Sequence, residues 1–585
     1  MIATAGTVRA AARPQQRARF PLVSAWALLG FIVLLLAFVI YMTFVPGLPT
    51  DGGWTLANWE QLASPYFLGR VLPNTVALGI GSIVIASAFG VPIAWLVNRT
   101  DLPFKNGFAT LMAMVLVIPG YANAMGWIML VDAHIGILNA ALSALLHVPI
   151  PLTVSNNVGG MIWVMGLILT PAIFFLLAGP MRSLDPALDE AARMSGGNVW
   201  QTLRRVDLPL LQPAILGALI YVFITAVSIF EVPALLGAAS GKVPVLSTAL
   251  FYAVRPAGPQ TGSFAYGVAG VYGLVLIVPS LIALAFYLRL LDRAERFQVV
   301  GGKAYRPHDV RLGRWRGAAF AFVGLYFALA LLLPFLVLLW ASLIPVLQAP
   351  SADQLAKVTG TNYAGLVATI GGPGVLQNTA ILVAVVAVLV TFFSLMISWV
   401  VVRTRIRGRK LMDVLAMMPH AVPGLAFAFA FAMLAILASR WLPWLPFGGT
   451  IAIIVLADLI QRLPYGTRLA NAALAQVHRE LEEAARMSGA NTSATMVRIL
   501  FPLIKPSIVY LAVWTGLLTL QEVSMALFLT GPQNTVLSVS IFQLWTDGNL
   551  GPAAAGTVVL TLLLAVVTWT ILRLTAGATR GAVST

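Results

Sequence analysis

About twelve apolar runs, most of them twenty residues or longer, decide what this sequence can become. They fall near residues 26–45, 71–97, 108–131, 158–180, 211–235, 264–290, 317–343, 375–402, 411–437, 450–470, 504–530 and 552–574. A helix of that length crosses a bilayer. The expected fold is therefore an all-α polytopic membrane protein. Composition agrees, with 59% hydrophobic and only 10% charged residues, where a soluble chain is about a quarter charged. The first run is too long for a signal-peptide core and no small-residue cleavage site follows it, so it reads as an uncleaved span. The absence of cysteine excludes disulfides and cysteine-based metal or redox chemistry.

The net charge of +16 could suggest nucleic acid, but the basic residues sit between the apolar runs. With the N-terminus in the cytoplasm and spans alternating, every strongly basic segment lands inside, as the positive-inside rule requires. These segments are the N-terminal arginines, Arg99 with Lys105, a linker over 291–316, the Arg403–Lys410 cluster, and the C-terminus with Arg573 and Arg580. The outer segments 46–70, 132–157, 236–263, 344–374, 438–449 and 531–551 hold few cations. Within them AALSALLHV reads as a short interfacial or re-entrant helix. Trp54, Trp59, Trp441 and Trp444 read as boundary aromatics.

One polar stretch occurs twice. LDEAARMSGGNVWQTLRRVDLPLLQPAI at 188–215 matches LEEAARMSGANTSATMVRILFPLIKPSI at 481–508 without a gap, with about half the positions identical. Each copy reads as a helix–turn–helix knob between two spans. Asp185 can cap the first helix with Pro186 at its first position. Gly196 and Gly489 end that helix, where a left-handed residue is needed. Asn198 and Asn491 can cap a second short helix that Pro209 and Pro502 terminate. Glu190 and Glu483 point outward, beside the small residues Ala191, Ala192, Ala484 and Ala485. The repeat extends further: Asn74-Thr75 matches Asn378-Thr379, and Trp95, Arg99 and Thr100 match Trp399, Arg403 and Thr404. The halves are then 1–290 and 317–585, two parallel six-span units joined by the basic linker, with polar loops at 185–213 and 478–506.

This duplicated motif resembles the EAA loop of binding-protein-dependent ABC importer permeases. The resemblance implies the type I importer permease fold in a bacterial cytoplasmic membrane, with both termini inside and the two units fused. It implies that Glu190, Ala191, Ala192, Gly196, Glu483, Ala484, Ala485 and Gly489 couple to two copies of a separate ATP-binding subunit. That partner would hold ATP and magnesium; no cofactor is expected on this chain. A substrate-binding protein would deliver cargo from outside. FEVPALLG and QEVSMALFLTG within a fused 6+6 chain resemble the ferric-iron group, and permeases for thiamine, polyamines or aminoethylphosphonate look similar. A self-sufficient secondary transporter would also have parallel halves and intramembrane acids, but it leaves the duplicated loop unexplained.

No enzyme constellation is present. The nearest approach to a phosphate loop, AASGKV at 238–243, lacks the first glycine and the Ser/Thr after lysine. Polar groups inside spans are costly and so are candidates for the substrate pathway. They are Glu231 and Glu522 at matching depths, Asp458 with Gln461 and Arg462, His420, and Tyr121 in the Pro119-Gly120-Tyr121 break. Asp458 and Arg462 read first as a buried i, i+4 ion pair and second as pathway residues. His420 reads equally as a partner for a carbonyl freed by Pro419 or Pro423. The proline breaks in spans three and nine read as packing kinks or as gate elements.

Overall fold

The computed structural model describes residues 19–132, 136–148, 152–184, 191–192, 194–196, 198–238, 242–255, 264–295, 310–444 and 447–581. Their regular structure is helical, as lipid requires of a chain whose backbone groups must be satisfied within each segment. Among the described residues, ten helices are long and apolar enough to cross a membrane, from Leu22–Met42 to Leu550–Arg573, and an eleventh span counts if one bent pair is taken together. That pair, Lys105–Val117 and Gly120–Val131, turns by 92° at the expected proline break. The tenth expected span is the helix Ile451–Ala475, 25 residues long but diluted by Asp458, Arg462 and Arg468.

Four of the expected spans are interrupted. Ile118 and Pro119 are extended between the helices of the third, and Pro423, with ψ 131, precedes Gly424 in the ninth. The fifth ends at Ser228 and the eleventh at Leu520, short of the expected 235 and 530. Each resumes as a short helix, Glu231–Pro233 and Ser524–Leu529. The apolar runs hid these two breaks because hydropathy does not record backbone direction. The expected interfacial segment is the helix Ile137–Leu146, with Leu145 and Leu146 exposed.

Two compact units emerge, and neither coincides with a sequence half. The larger comprises 37–383, 421–457 and 517–585. Here Phe67–Arg99 packs along Val158–Ser183, and glycines bring the helices close. A Cβ on Gly90 would lie 2.8 Å from that of Ile173. Phe230 stacks at 4.4 Å on Phe251, which meets Phe528 at 5.8 Å. The smaller unit comprises 1–36, 384–420 and 458–516. Its core gathers Ala473, Leu474 and Ile504, with Trp399 and Val402 packed against them.

Candidate functional site

The second polar loop folds as the knob its sequence predicts. Helix Arg479–Met487 buries Glu482 and Ala485, three residues apart, and exposes Glu480, Glu483, Ala484 and Met487 on the opposite face. Gly489 ends it at φ +82, and the Ala490 amide donates back to the Ala485 carbonyl at 3.0 Å, the bond pattern a left-handed glycine permits. Asn491 then caps the next helix, its Oδ1 accepting from the Ala494 amide at 2.8 Å.

The first loop repeats this bond for bond where it is described. Gly196 also has φ +82. Asn198 Oδ1 accepts from the Gln201 amide at 2.8 Å, and the Asn198 amide donates to Gln201 Oε1 at 2.9 Å, a capping box. The Ser195 and Ser488 hydroxyls donate to the Ala191 and Ala484 carbonyls at 2.9 and 3.0 Å. Thr202 and Thr495 donate to Asn198 and Asn491, both at 3.1 Å. Ala191 is exposed and Ala192 half-buried. Glu190 and the cap expected at Asp185-Pro186 lie outside the described residues.

One expectation is corrected. Pro209 and Pro502 do not terminate the second helix. The chain continues through a five-residue π-turn, Leu203–Asp207 or Met496–Leu500, directly into the following span. Proline lacks an amide and crowds the preceding turn, and a widened turn absorbs both defects without ending the helix. The knob is therefore continuous with the span that follows it.

Two residues escaped the sequence reading. Met194 and Met487, at the same position in each copy, are 90% and 89% exposed. The shared RMSG string was the available signal. A solvent-facing methionine is an adaptable apolar contact, suited to a groove on another protein.

Within the larger unit, Glu231 and Glu522 stand at the breaks after Ser228 and Leu520. Both are half-buried, yet they differ in partners. Glu231 Oε2 accepts from the Ser524 hydroxyl at 2.6 Å, joining the first sequence half to the second. A Cβ on Gly120 would lie 3.3 Å from Glu231 Oε1, so this carboxylate faces the break in the third span. Tyr121, beside it, is fully buried and its hydroxyl has no hydrogen-bond partner. Glu522 Oε1 instead accepts from the Met525 amide at 3.2 Å and so caps the short helix Ser524–Leu529.

In the smaller unit Asp458 and Arg462 form the i, i+4 pair at 3.1 Å, both buried, while Asp458 Oδ2 has no partner. His420 meets the Tyr465 ring edge-on at 5.3 Å. The structure thus brings Glu231, Tyr121 and the Ser524 end of the Glu522 helix together. Asp458 and His420 belong to the other unit. A cavity of about 550 Å³ lined by Asn378, Gln533, Ser540 and Asp547 includes none of the expected residues. Among the described residues, no three His, Asp or Glu side chains gather as a metal site.

Residues 391–577 match the family described as the binding-protein-dependent transport system inner membrane component. The ferric transport system permease protein FbpB of Actinobacillus pleuropneumoniae is 26% identical over 564 residues, spanning 92% of this chain and 77% of its own. The spermidine/putrescine transport system permease protein PotB of Haemophilus influenzae is 27% identical over 188 residues, 32% of this chain and 64% of its own. One solved structure, a bacterial ABC transporter involved in alginate import, superposes with a TM-score of 0.35 at 18% identity, covering 47% of this chain and 98% of its own. The match of residues 391–577, the similarity along most of the chain and the duplicated knob agree: the chain resembles the binding-protein-dependent ABC importer permeases with two fused transmembrane halves, the ferric-iron group among them.

Proposed function

We propose that this permease imports ferric iron handed over by an external binding protein, and that its two EAA knobs dock on two copies of a separate ATP-binding subunit at the cytoplasmic face. The observation that carries the coupling reading is the pair of knobs, which share a left-handed glycine, an asparagine cap and an exposed methionine. ATP-driven closure of the partner subunits moves the knobs. The unbroken helical path from each knob into the next span carries that movement into the membrane.

The substrate reading rests on similarity to a ferric permease across both halves, where the polyamine permease matches one stretch. Chemistry agrees with it. A hard cation prefers oxygen ligands; Glu231 and Tyr121 offer oxygens beside the break in the third span, and Glu522 offers one at the break after Leu520. A weak, transient station suits conduction, because a tight site stops release. His420 and Asp458 are further candidates along the pathway. Polyamine or thiamine would fit the same architecture. Uptake assays in a strain lacking its own iron importer, with this chain, its ATPase and its binding protein co-expressed, test the reading. Iron uptake that requires all three supports it. Uptake of spermidine or thiamine without iron overturns the substrate.

A further inference from the structure

Arg403 lies at the inner end of the long helix Pro373–Arg403, the eighth expected span. Its guanidinium is almost wholly buried and reaches two separate elements. Nη2 donates to the carbonyls of Leu474 and, at 2.7 Å, of Val477, where the chain leaves the helix Ile451–Ala475. Nε lies 3.1 Å from Glu482 Oε1 in the coupling helix, and both side chains are less than a tenth exposed. The contact is returned by Arg479, whose Nη2 donates to the Val402 carbonyl at 3.0 Å. The two Nη2 hydrogen bonds fix the plane of the guanidinium, and its contact with Glu482 is a close ion pair and not an aligned hydrogen bond. A cation at a helix C-terminus also complements the free carbonyls there.

The first half repeats the arrangement. Arg99, aligned with Arg403, is buried and donates from Nη1 to the Leu184 carbonyl at 3.3 Å, just beyond the helix Val158–Ser183. The neighbouring threonines, Thr100 and Thr404, make the same bond four residues back at 2.6 Å. Asp189 stands in sequence where Glu482 stands in the second copy. A repeated arginine buried at the membrane's inner edge is expensive unless paired, and neither the apolar packing nor docking on a partner requires it.

We propose that Arg403 is a positioning residue for energy coupling. It clamps the coupling helix, through Glu482, to the inner ends of the eighth and tenth expected spans, so that a push on the knob moves those spans instead of bending the loop. In the first half, Arg99 holds the Leu184 carbonyl at the inner end of the fourth expected span. This deepens the coupling reading above and rests on it, while the clamp itself can be measured on this chain alone.

The test uses the full chain in liposomes with one nitroxide label at Ser488→Cys, and a control label at Ala352→Cys in an outer segment. The chain has no native cysteine to interfere. Arg403→Gln and the near-isosteric Glu482→Gln should each loosen the label at 488 and leave that at 352 unchanged. Arg403→Lys, which keeps charge but loses the fork, should fall between. With the ATPase subunit and the cognate binding protein as purified, stimulation of ATP hydrolysis should drop about tenfold in Glu482→Gln, the scale of a typical coupling between sites. A label at 488 as immobile as in wild type overturns the clamp. A loosened label with full stimulation makes the pair merely structural and also overturns the proposal. If the wild-type chain binds no ATPase, the coupling reading fails instead. If Arg403→Gln does not insert, Glu482→Gln decides.

Discussion

At the scale of single residues, the two glutamates that sequence treats as equivalent are not equivalent in structure. Glu231 bonds a side chain from the other half, whereas Glu522 caps its own short helix. Substitution by glutamine keeps an oxygen acceptor but removes the charge. Glu522→Gln can still accept from the Met525 amide, so uptake should fall by no more than about threefold. Glu231→Gln should cost about tenfold or more, because the charge-assisted bond to Ser524 and the charge facing the third-span break are both lost. Initial uptake rates under matched expression decide this; equal losses would return the two sites to one role. The Asp458–Arg462 pair yields a stability prediction. Asp458→Leu removes the buried carboxylate partner of Arg462 and should destabilise by about 3–5 kcal/mol, while Asp458→Leu with Arg462→Met should be nearly neutral. Melting in detergent, followed by tryptophan fluorescence, separates the two. A double variant as unstable as the single one would show that Arg462 has a further essential partner.

At the scale of elements, the sequence carried the knob almost complete. The asparagine caps and left-handed glycines are local chemistry, written in residue types at fixed spacing. What it could not carry was the continuity at Pro209 and Pro502. A proline announces a broken hydrogen bond but not whether a π-turn will absorb it. The breaks before Glu231 and Glu522 were hidden for a related reason, since hydropathy continues unbroken through both. The burial of Glu482 was hidden too, because its partner Arg403 is distant in sequence and meets it only through folding. Topology gives the element-scale test. A cysteine at Ala494 should react with a membrane-impermeant maleimide only from the cytoplasmic side, and one at Ala352 only from outside. Labelling of Ala494 from outside would refute the alternation of spans.

At the scale of the whole molecule, two halves fused in one chain were legible because matching motifs recur along the sequence: Asn-Thr, Trp-x-x-x-Arg-Thr, and then the knob. The compact units were not legible, because they cut across the halves and depend on packing between distant helices. The central claim is that the two knobs convert ATP hydrolysis on partner subunits into movement of this permease. Gly196 and Gly489 test it most directly. Both sit at φ +82, and a Cβ at either meets nothing within 4 Å, so valine acts chiefly by opposing the left-handed backbone of the turn. The measurement is binding-protein-stimulated ATP hydrolysis by the complex in proteoliposomes, comparing wild type with Gly196→Val, Gly489→Val and the double variant. The account predicts normal membrane insertion with stimulation reduced at least about fivefold in each single variant and abolished in the double. Full stimulation in the double variant would contradict it.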